Sequence, residues 1–247
     1  MLTFYDFGPS LTDPHWLNVS FLHGWTNLDG SYATFSSSER IEESSNAQAS
    51  TAFSGAANIN IEAGGKFGDC LGVDTAAANV QYADSTLYAL GSGAFTLETW
   101  VRFDVAPSSS VHYLFGQYDT GANQRSWALL INAGSLQMAL STAGTSATIV
   151  ASAGWAPSTG VWYHVVGEFD GSAYRTYVNG VMNGKSTTLV TPLHNSTAPF
   201  TVGAVLNSGA GNGAFRGQLD EIRITKGVAR YASDSGYVTP TTAFPRG

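Results

Sequence analysis

Few side chains in this sequence have a type and spacing that could do catalytic chemistry. Hydrolysis of a glycosidic bond needs two carboxylates flanking that bond, and the nearest spacing is Glu168-Phe-Asp170. Asp170-Gly171 is better explained as a hairpin turn. The sequence has no Gly-x-Ser-x-Gly elbow and no HExxH motif, and its histidines are dispersed. They are His15, His23, His112, His164 and His194. The sequence therefore predicts a protein that is not an enzyme.

Polar and aromatic side chains in the loops could instead bind a sugar. Residues 118–127 and 207–213 are rich in Asn, Asp and Gly, which is typical of loops. The candidate ligand-binding residues are Asp119, Asn123, Arg125 and Asn212, whose side chains could bind sugar hydroxyls, and Trp155, which could stack on a sugar ring. Ordinary solvated loops with turn-forming Asp and Asn are the alternative interpretation.

Asp220 is an acidic residue in an apolar setting. In a strand over 217–225 it would share a face with Ile222 and Ile224 and point toward the core. An unpaired carboxylate there is costly, so Asp220 needs backbone donors, a basic partner or a metal ion.

Composition and charge narrow the range of partners. Only 12% of the residues are charged, and the formal net charge is −7. A nucleic-acid binder needs a clustered basic surface, which 11 scattered Lys and Arg residues do not supply. We therefore expect neither nucleic acid nor an anionic membrane as a partner. Cys70 is the only cysteine, so an intrachain disulfide is excluded.

The sequence shows no pattern for export. Its first residues lack the basic start and apolar stretch of a signal peptide. No apolar run approaches the roughly 20 residues that span a bilayer. We expect synthesis in the cytoplasm without export by the general pathway.

Alternation of apolar and polar residues predicts an all-β protein. Asp170-Gly171 and Asn179-Gly180 favour tight hairpin turns and predict a meander of strands at 161–169, 173–178 and from 181 onward. Further strands are predicted at 95–103, 111–117, 126–132, 135–140, 146–151, 199–205 and 217–225. Residues 207–213 are predicted to be too rich in glycine for regular structure. Many short strands at this spacing predict a sandwich or a barrel.

The two ends of the chain differ from its body. Residues 1–17 form a predicted N-terminal arm, residues 18–232 the main domain, and residues 233–247 a C-terminal tail of low periodicity. We expect both ends to dock, either on their own domain or on neighbouring molecules.

Five blocks of sequence, in this order and spacing, resemble laminin-G-like and concanavalin A-like jelly-roll domains. They are Lys66-Phe-Gly-Asp-Cys-Leu71, Phe95-Thr-Leu-Glu-Thr-Trp-Val-Arg102, Trp162-Tyr-His164, Tyr177-Val-Asn-Gly180 and Gly217-Gln-Leu-Asp-Glu-Ile-Arg-Ile224. The run Lys226-Gly-Val-Ala-Arg-Tyr231 resembles the closing segment of such domains in tailed-phage structural proteins. The resemblance covers roughly residues 18–232 and implies a two-sheet antiparallel jelly-roll sandwich.

The resemblance carries further expectations about sites. Laminin-G modules often bind their ligands at a loop rim, and the resemblance implies that residues 118–127 and 207–213 meet at that rim. Glucanases of this fold carry their carboxylates as Glu-x-Asp-x-Glu on one strand face, and this sequence has no such string. Related sandwiches often hold a structural calcium ion, which implies a calcium site at Asp220 with Asp29 nearby. A backbone-capped Asp220 is the alternative.

The resemblance leaves three functions open, because this fold hosts lectins, adhesion modules and enzymes. The first is a non-catalytic virion structural protein, a phage capsid decoration (cement) protein or another virion-surface module. It would dock on other capsid or tail proteins, form a homotrimer and have some capacity to bind a host surface glycan. The second is a tail-fibre or cell-surface carbohydrate-binding adhesin. The third is a polysaccharide hydrolase or lyase.

Overall fold

The computed structural model describes residues 12–25, 41–54, 58–107 and 109–247, except for the side chains of residues 151 and 152. A 3₁₀ turn at Trp16–Asn18 precedes the first strand. The strands of this part of the chain are β1 (Val19–His23), β2 (Ser50–Ser54), β3 (Ile59–Ala63), β4 (Asp69–Val73), β5 (Asn79–Tyr82), β6 (Phe95–Phe103), β7 (Val111–Asp119), β8 (Gln124–Asn132), β9 (Ser135–Leu140), β10 (Thr148–Gly154), β11 (Trp162–Phe169), β12 (Tyr174–Val178), β13 (Val181–Ser186), β14 (Phe200–Val202), β15 (Val205–Asn207), β16 (Ala210–Asn212) and β17 (Gly217–Lys226). No helix within these ranges has the length and apolar character needed to cross a bilayer.

The strands form two sheets that face each other across one core. The first sheet has the order β13-β12-β11-β6-β17-β4-β3, with β1 also paired to β17. The second has the order β10-β9-β8-β7-β14-β5-β2, with β15 and β16 beside β7. Large aromatic side chains from both sheets fill the space between them, including Phe21, Phe103, Trp127, Phe200 and Phe215. The predicted all-β, two-sheet antiparallel jelly-roll sandwich is confirmed.

The predicted alternation in β6 accounts for its central position between β11 and β17. Phe95, Leu97 and Val101 are buried in the core, whereas Glu98 and Trp100 alternate with them on the outer face. The predicted meander of β11, β12 and β13 is confirmed as well.

Two predictions about residues 199–213 are wrong. The strand predicted at 199–205 is interrupted at Gly203, whose φ of 95° suits glycine, and it becomes β14 and β15. The loop predicted at 207–213 contains β16, which pairs antiparallel with β15. Here glycine permits close approach, because a Cβ on Gly211 would collide with the carbonyl oxygen of Ala77.

A β-bulge in β17 changes which way Asp220 faces. Asp220 pairs with Trp100 and Arg223 pairs with Glu98, so β17 contains one extra residue between them. Glu221 takes this position with a φ of 50°. Leu219 lies in the core before the bulge and Ile222 lies in the core after it, so Asp220 lies on the outer face. The prediction that Asp220 shares the core-facing side is therefore wrong, because the strict period of two fails at the bulge.

Residues 228–247, called the strap below, cover the outer face of the first sheet. Tyr231 and Tyr237 stack with their ring centroids 3.7 Å apart, and Tyr177 of β12 contacts both rings. Phe244 is buried, and the guanidinium carbon of Arg223 lies 3.6 Å from the centroid of its ring. The C-terminal tail therefore docks on its own domain.

Glu98 is a fully buried carboxylate under the strap. Its Oε1 accepts a hydrogen bond from Nε of Arg223 at 2.8 Å, and its Oε2 accepts one from the Tyr231 hydroxyl at 2.6 Å. The Nε2 atom of His164 lies 3.3 Å from Oε2. Burial alone would raise the pKa of Glu98, but Arg223 and the nearby His164 hold it well below its ordinary value.

Asp13 of the N-terminal segment completes this ionic cluster. Its carboxylate accepts hydrogen bonds from Arg223 at 3.1 Å and from both terminal nitrogens of Arg230 at 2.9 and 2.8 Å. Two buried carboxylates and two arginines thus join β6, β17, the N-terminal segment and the strap.

Replacing Glu98 with Ala should destabilise the fold strongly, because Arg223 would stay buried without its main acceptor. We expect E98A to lose about 3–5 kcal/mol of unfolding free energy in urea titrations. Asp234→Ala is the matched control, since it removes an exposed carboxylate that bridges Arg175 and Lys185. Its stability should change little. An E98A protein as stable as the wild type would show that the cluster does not hold these segments together.

Candidate functional site

The sandwich separates the predicted ligand-binding residues into two groups. Asp119, Asn123 and Arg125 lie around the turn between β7 and β8. Trp155 lies against the turn between β8 and β9. The nine residues of β8 separate these two turns by roughly 27 Å. The five residues therefore cannot form one site.

Asp119 connects two loops through its carboxylate. Oδ1 accepts three hydrogen bonds from backbone N–H groups and Oδ2 accepts a fourth, at distances between 2.7 and 3.0 Å. The donors are Gly121, Ala122, Ser208 and Gly209. The predicted meeting of residues 118–127 with residues 207–213 is confirmed, but this contact occupies both carboxylate oxygens of Asp119. Asp119 is 5% exposed and has little left to offer a ligand.

Arg125 and Asn123 also connect loops. Nη1 of Arg125 donates to the carbonyl oxygens of Gly144 and Thr145 at 3.2 and 2.7 Å, and to Oδ1 of Asn123 at 3.3 Å. Asn123 has a φ of 54°, which asparagine tolerates in a tight turn. These side chains hold the loop after β9 against the turn between β7 and β8.

Trp155 lines a cleft of about 560 Å³ at the opposite end, called the Trp155 cleft below. The other lining residues are small or prolyl: Ala106, Pro107, Ala133, Gly134, Gly154, Ala156 and Pro157. The Trp155 ring is half-buried. Its indole N–H makes no hydrogen bond to any residue of the described ranges. The cleft therefore exposes an aromatic ring together with a free donor.

Neighbouring segments hold this indole in place. The two-residue turn Ala133-Gly134 has φ values of 46° and 70°, as a type I′ hairpin requires. Gly134 accepts a hydrogen bond from the backbone N–H of Trp155 and donates one to the carbonyl of Pro107. The ring of Tyr163 packs edge-on against the indole at 5.1 Å between centroids. The orientation of the indole is set before any ligand arrives.

Asn212 lies in β16, where its backbone pairs with Val205. Its side chain lines a second opening, of about 400 Å³, together with Ser109, Ser110 and Tyr113. Pro107 of the Trp155 cleft and Ser109 belong to the same loop. Of the residues predicted from sequence, Trp155 and Asn212 therefore line openings at the same loop. The sequence analysis did not single out Tyr113, because its alternation in β7 only predicts a strand.

Asp220 lies beneath the turn at residues 65–68. Its Oδ2 accepts a hydrogen bond from the backbone N–H of Phe67 at 2.9 Å, while its Oδ1 is buried without a partner in the described ranges. Lys66 lies nearby, with Nζ 4.3 Å from the centroid of Trp100. Of these groups, the Phe67 N–H and the Lys66 ammonium are donors and do not supply the oxygen ligands that calcium requires. Asp29, the other predicted ligand, lies outside the described residues.

No group of three His, Cys, Asp or Glu side chains among the described residues could hold a metal ion. The calcium site stays a prediction that depends on the segment containing Asp29.

Glu98 and Glu168 form a carboxylate pair that the sequence analysis did not identify. Both lie on the outer face of the first sheet, and both are fully buried. Glu168 accepts hydrogen bonds from the Tyr177 hydroxyl at 2.8 Å and from the backbone N–H groups of Tyr231 and Ala232 at 3.1 and 2.6 Å. Burial raises the pKa of Glu168 against these bonds. Because the strap occupies their face, this pair supports the structure.

A jelly-roll sandwich with open loops at one end is the architecture of the concanavalin A-like class of proteins. The family model Laminin_G_3, described as the Concanavalin A-like lectin/glucanases superfamily, matches residues 74–231. The chain belongs to this family, and the resemblance derived from the sequence blocks is confirmed. No curated protein sequence matches the chain.

Several solved structures are similar in fold. Domain 4 of AbnA, a GH43 extracellular arabinanase from Geobacillus stearothermophilus, in complex with arabinotriose, is 16% identical with a TM-score of 0.59, over 85% of this chain and 93% of that one. The binding domain of Paraclostridial Mosquitocidal Protein 1 is 12% identical with a TM-score of 0.60, over 87% and 50%. The binding domain of Botulinum neurotoxin serotype G is 12% identical with a TM-score of 0.62, over 86% and 49%. The chain thus spans about half the length of the two toxin domains. At these identities the likeness shows the fold alone.

Asp220 should make the stability depend on pH. Burial raises its pKa from the ordinary value of 3.8 to about 7. Between about pH 4 and pH 7 the unfolded chain therefore binds fewer protons at this position than the folded chain. The contribution of Asp220 to the free energy of unfolding therefore falls as the pH rises through this window, by up to about 1.4 kcal/mol per pH unit.

Asp220→Asn removes this titration, so its stability relative to wild type should improve from about pH 4 to about pH 7 and then level off. Urea titrations at a series of pH values measure the difference. Asp74→Asn, which alters an exposed carboxylate, is the control. A stability difference between D220N and wild type that is constant with pH would contradict the assignment.

Proposed function

We propose that this protein is a non-catalytic carbohydrate-binding module that takes a sugar ring in the Trp155 cleft. The observation that carries the proposal is the half-buried indole of Trp155, which its neighbours hold in place and whose N–H has no hydrogen-bond acceptor among the described residues.

The chemistry of the Trp155 cleft matches a sugar ring. A pyranose or furanose presents C–H groups on one face and hydroxyls around its edge. An indole face contacts the C–H groups, and its N–H donates to a hydroxyl oxygen. The small side chains around Trp155 leave room for a ring to approach. Because the indole is already fixed, binding orders little of the protein, and this reduces the entropic cost.

Membership of a lectin and glucanase superfamily supports a binding role. Domain 4 of AbnA, a neighbour in fold, was solved in complex with arabinotriose, and two other neighbours are toxin binding domains. The buried state of Glu98 and Glu168 favours binding over hydrolysis, since neither carboxylate is accessible to a substrate.

The virion setting stays a prediction, together with capsid or tail partners and a homotrimer. Its support is the resemblance of Lys226 to Tyr231 to the closing segment of phage domains. Docking of the tail on its own sheet weakens one argument for that setting, because the strap is already occupied within its own molecule.

Trp155→Ala should reduce the affinity for a bound oligosaccharide at least about tenfold, because the stacking surface is lost. Isothermal titration calorimetry with neutral arabino-, gluco- and manno-oligosaccharides provides the measurement. Trp155→Phe should retain part of the affinity, since a smaller ring remains. Trp162→Ala is the matched control, because Trp162 is half-buried on the outer face of the first sheet, beside Arg102. Binding that is equal in wild type and W155A would overturn the proposed site.

A further inference from the structure

We infer that the Trp155 cleft is one of two adjoining subsites, and that the ligand is an uncharged glycan chain of at least two sugars. This inference rests on the proposed function. The second subsite is the opening lined by Ser109, Ser110, Tyr113 and Asn212, called the polar opening below.

The two openings lie on either side of one loop. Pro107 lines the Trp155 cleft and Ser109 lines the polar opening. Two residues of chain span at most about 7 Å, so the openings are neighbours. The loop is anchored on both sides: Gly134 donates to the carbonyl of Pro107 at 2.9 Å, and Ala214 donates to the carbonyl of Val111 at 2.8 Å. A ligand that extends out of one opening therefore comes close to the other.

The polar opening offers hydrogen-bonding groups that the protein does not use. Within the described ranges, the side chains of Ser109, Ser110, Tyr113 and Asn212 make no hydrogen bond. The ring of Tyr113 packs against that of Tyr118, with centroids 6.1 Å apart, so the position of its hydroxyl is constrained. Hydroxyl and amide groups both donate and accept, which suits the hydroxyls of a sugar.

The lining also selects by charge. None of the described residues that line either opening is ionised. A carboxylated or sulfated sugar would lose its hydration without gaining a cationic partner. The formal net charge of −7 adds a repulsive field. Both effects favour a neutral glycan.

Calorimetry with arabino-, gluco- and manno-oligosaccharides of one to six sugars tests the two subsites. In the series that binds, affinity should rise from one sugar to the length that fills both openings and then stay constant. Asn212→Ala and Tyr113→Phe should each weaken the longer chains about three- to tenfold and leave the monosaccharide unchanged. Asn123→Ala, at the opposite end of β8, is the matched control and should not alter binding. An oligogalacturonate of equal length should bind less tightly than the neutral chain.

Failures of the two proposals give different results. One outcome is that W155A loses binding while the affinity depends on neither the chain length nor the side chains of Asn212 and Tyr113. That outcome would overturn the second subsite and leave the proposed function intact. Tighter binding of oligogalacturonate than of the neutral chain would overturn the inferred ligand class. An affinity that does not depend on Trp155 would overturn the proposed function itself.

Discussion

The buried ion pair between Glu98 and Arg223 is the constraint from which the usable surfaces of this molecule follow. A carboxylate on the central strand of a sheet cannot be left without partners once water is excluded. Its partners come from β17 and from Tyr231 of the strap, and Asp13 neutralises the same arginine. The strap must therefore remain closed over the first sheet, and that broad face is unavailable to a ligand. The proposed binding site lies instead among the loops at one end of the sandwich.

The two ends differ in how they use their polar groups. Around the turn between β7 and β8, Asp119 and Arg125 are occupied in joining loops, because three separate segments meet there. At the other end a two-residue turn and backbone hydrogen bonds perform that task. The Asn212 side chain and the Trp155 indole N–H therefore make no hydrogen bond within the described part of the chain. Judged by residue type alone, Asp119 and Arg125 are stronger candidate ligands than Asn212 and Trp155. Their hydrogen bonds within the protein make them the weaker candidates.

The sequence predicts most of the fold because the fold is encoded locally. Alternation over Phe95–Phe103 and the Asn179-Gly180 turn each depend on neighbouring residues, and both predictions agree with the structure. The β-bulge at Glu221 is different, since no sequence pattern requires a positive φ there, and one extra residue inverts the facing of Asp220. The partners of Glu98 are also beyond local reasoning, because Arg223 and Arg230 are distant in sequence from β6. Trp155 was a candidate from its residue type alone, because its ring could stack on a sugar. The sequence alone could not predict that Trp155 and Arg125 lie near opposite ends of β8, because that depends on the order and register of the strands.

Several of the few positively charged side chains form ion pairs inside the fold. Arg175, Arg223, Arg230 and Arg246, four of the 11 Lys and Arg residues, are engaged with carboxylates beneath or within the strap. With a formal net charge of −7, the chain does not steer an anionic ligand toward itself, so the proposed recognition rests on stacking and on neutral hydrogen bonds. Such contacts are individually weak, each contributing about 0.5–1.5 kcal/mol. Useful affinity then requires several contacts with one ligand. Once one sugar of a chain is bound, the next sugar is held near its own opening at a high effective concentration. In the proposed site, two neighbouring openings beside a single loop provide that arrangement within one molecule.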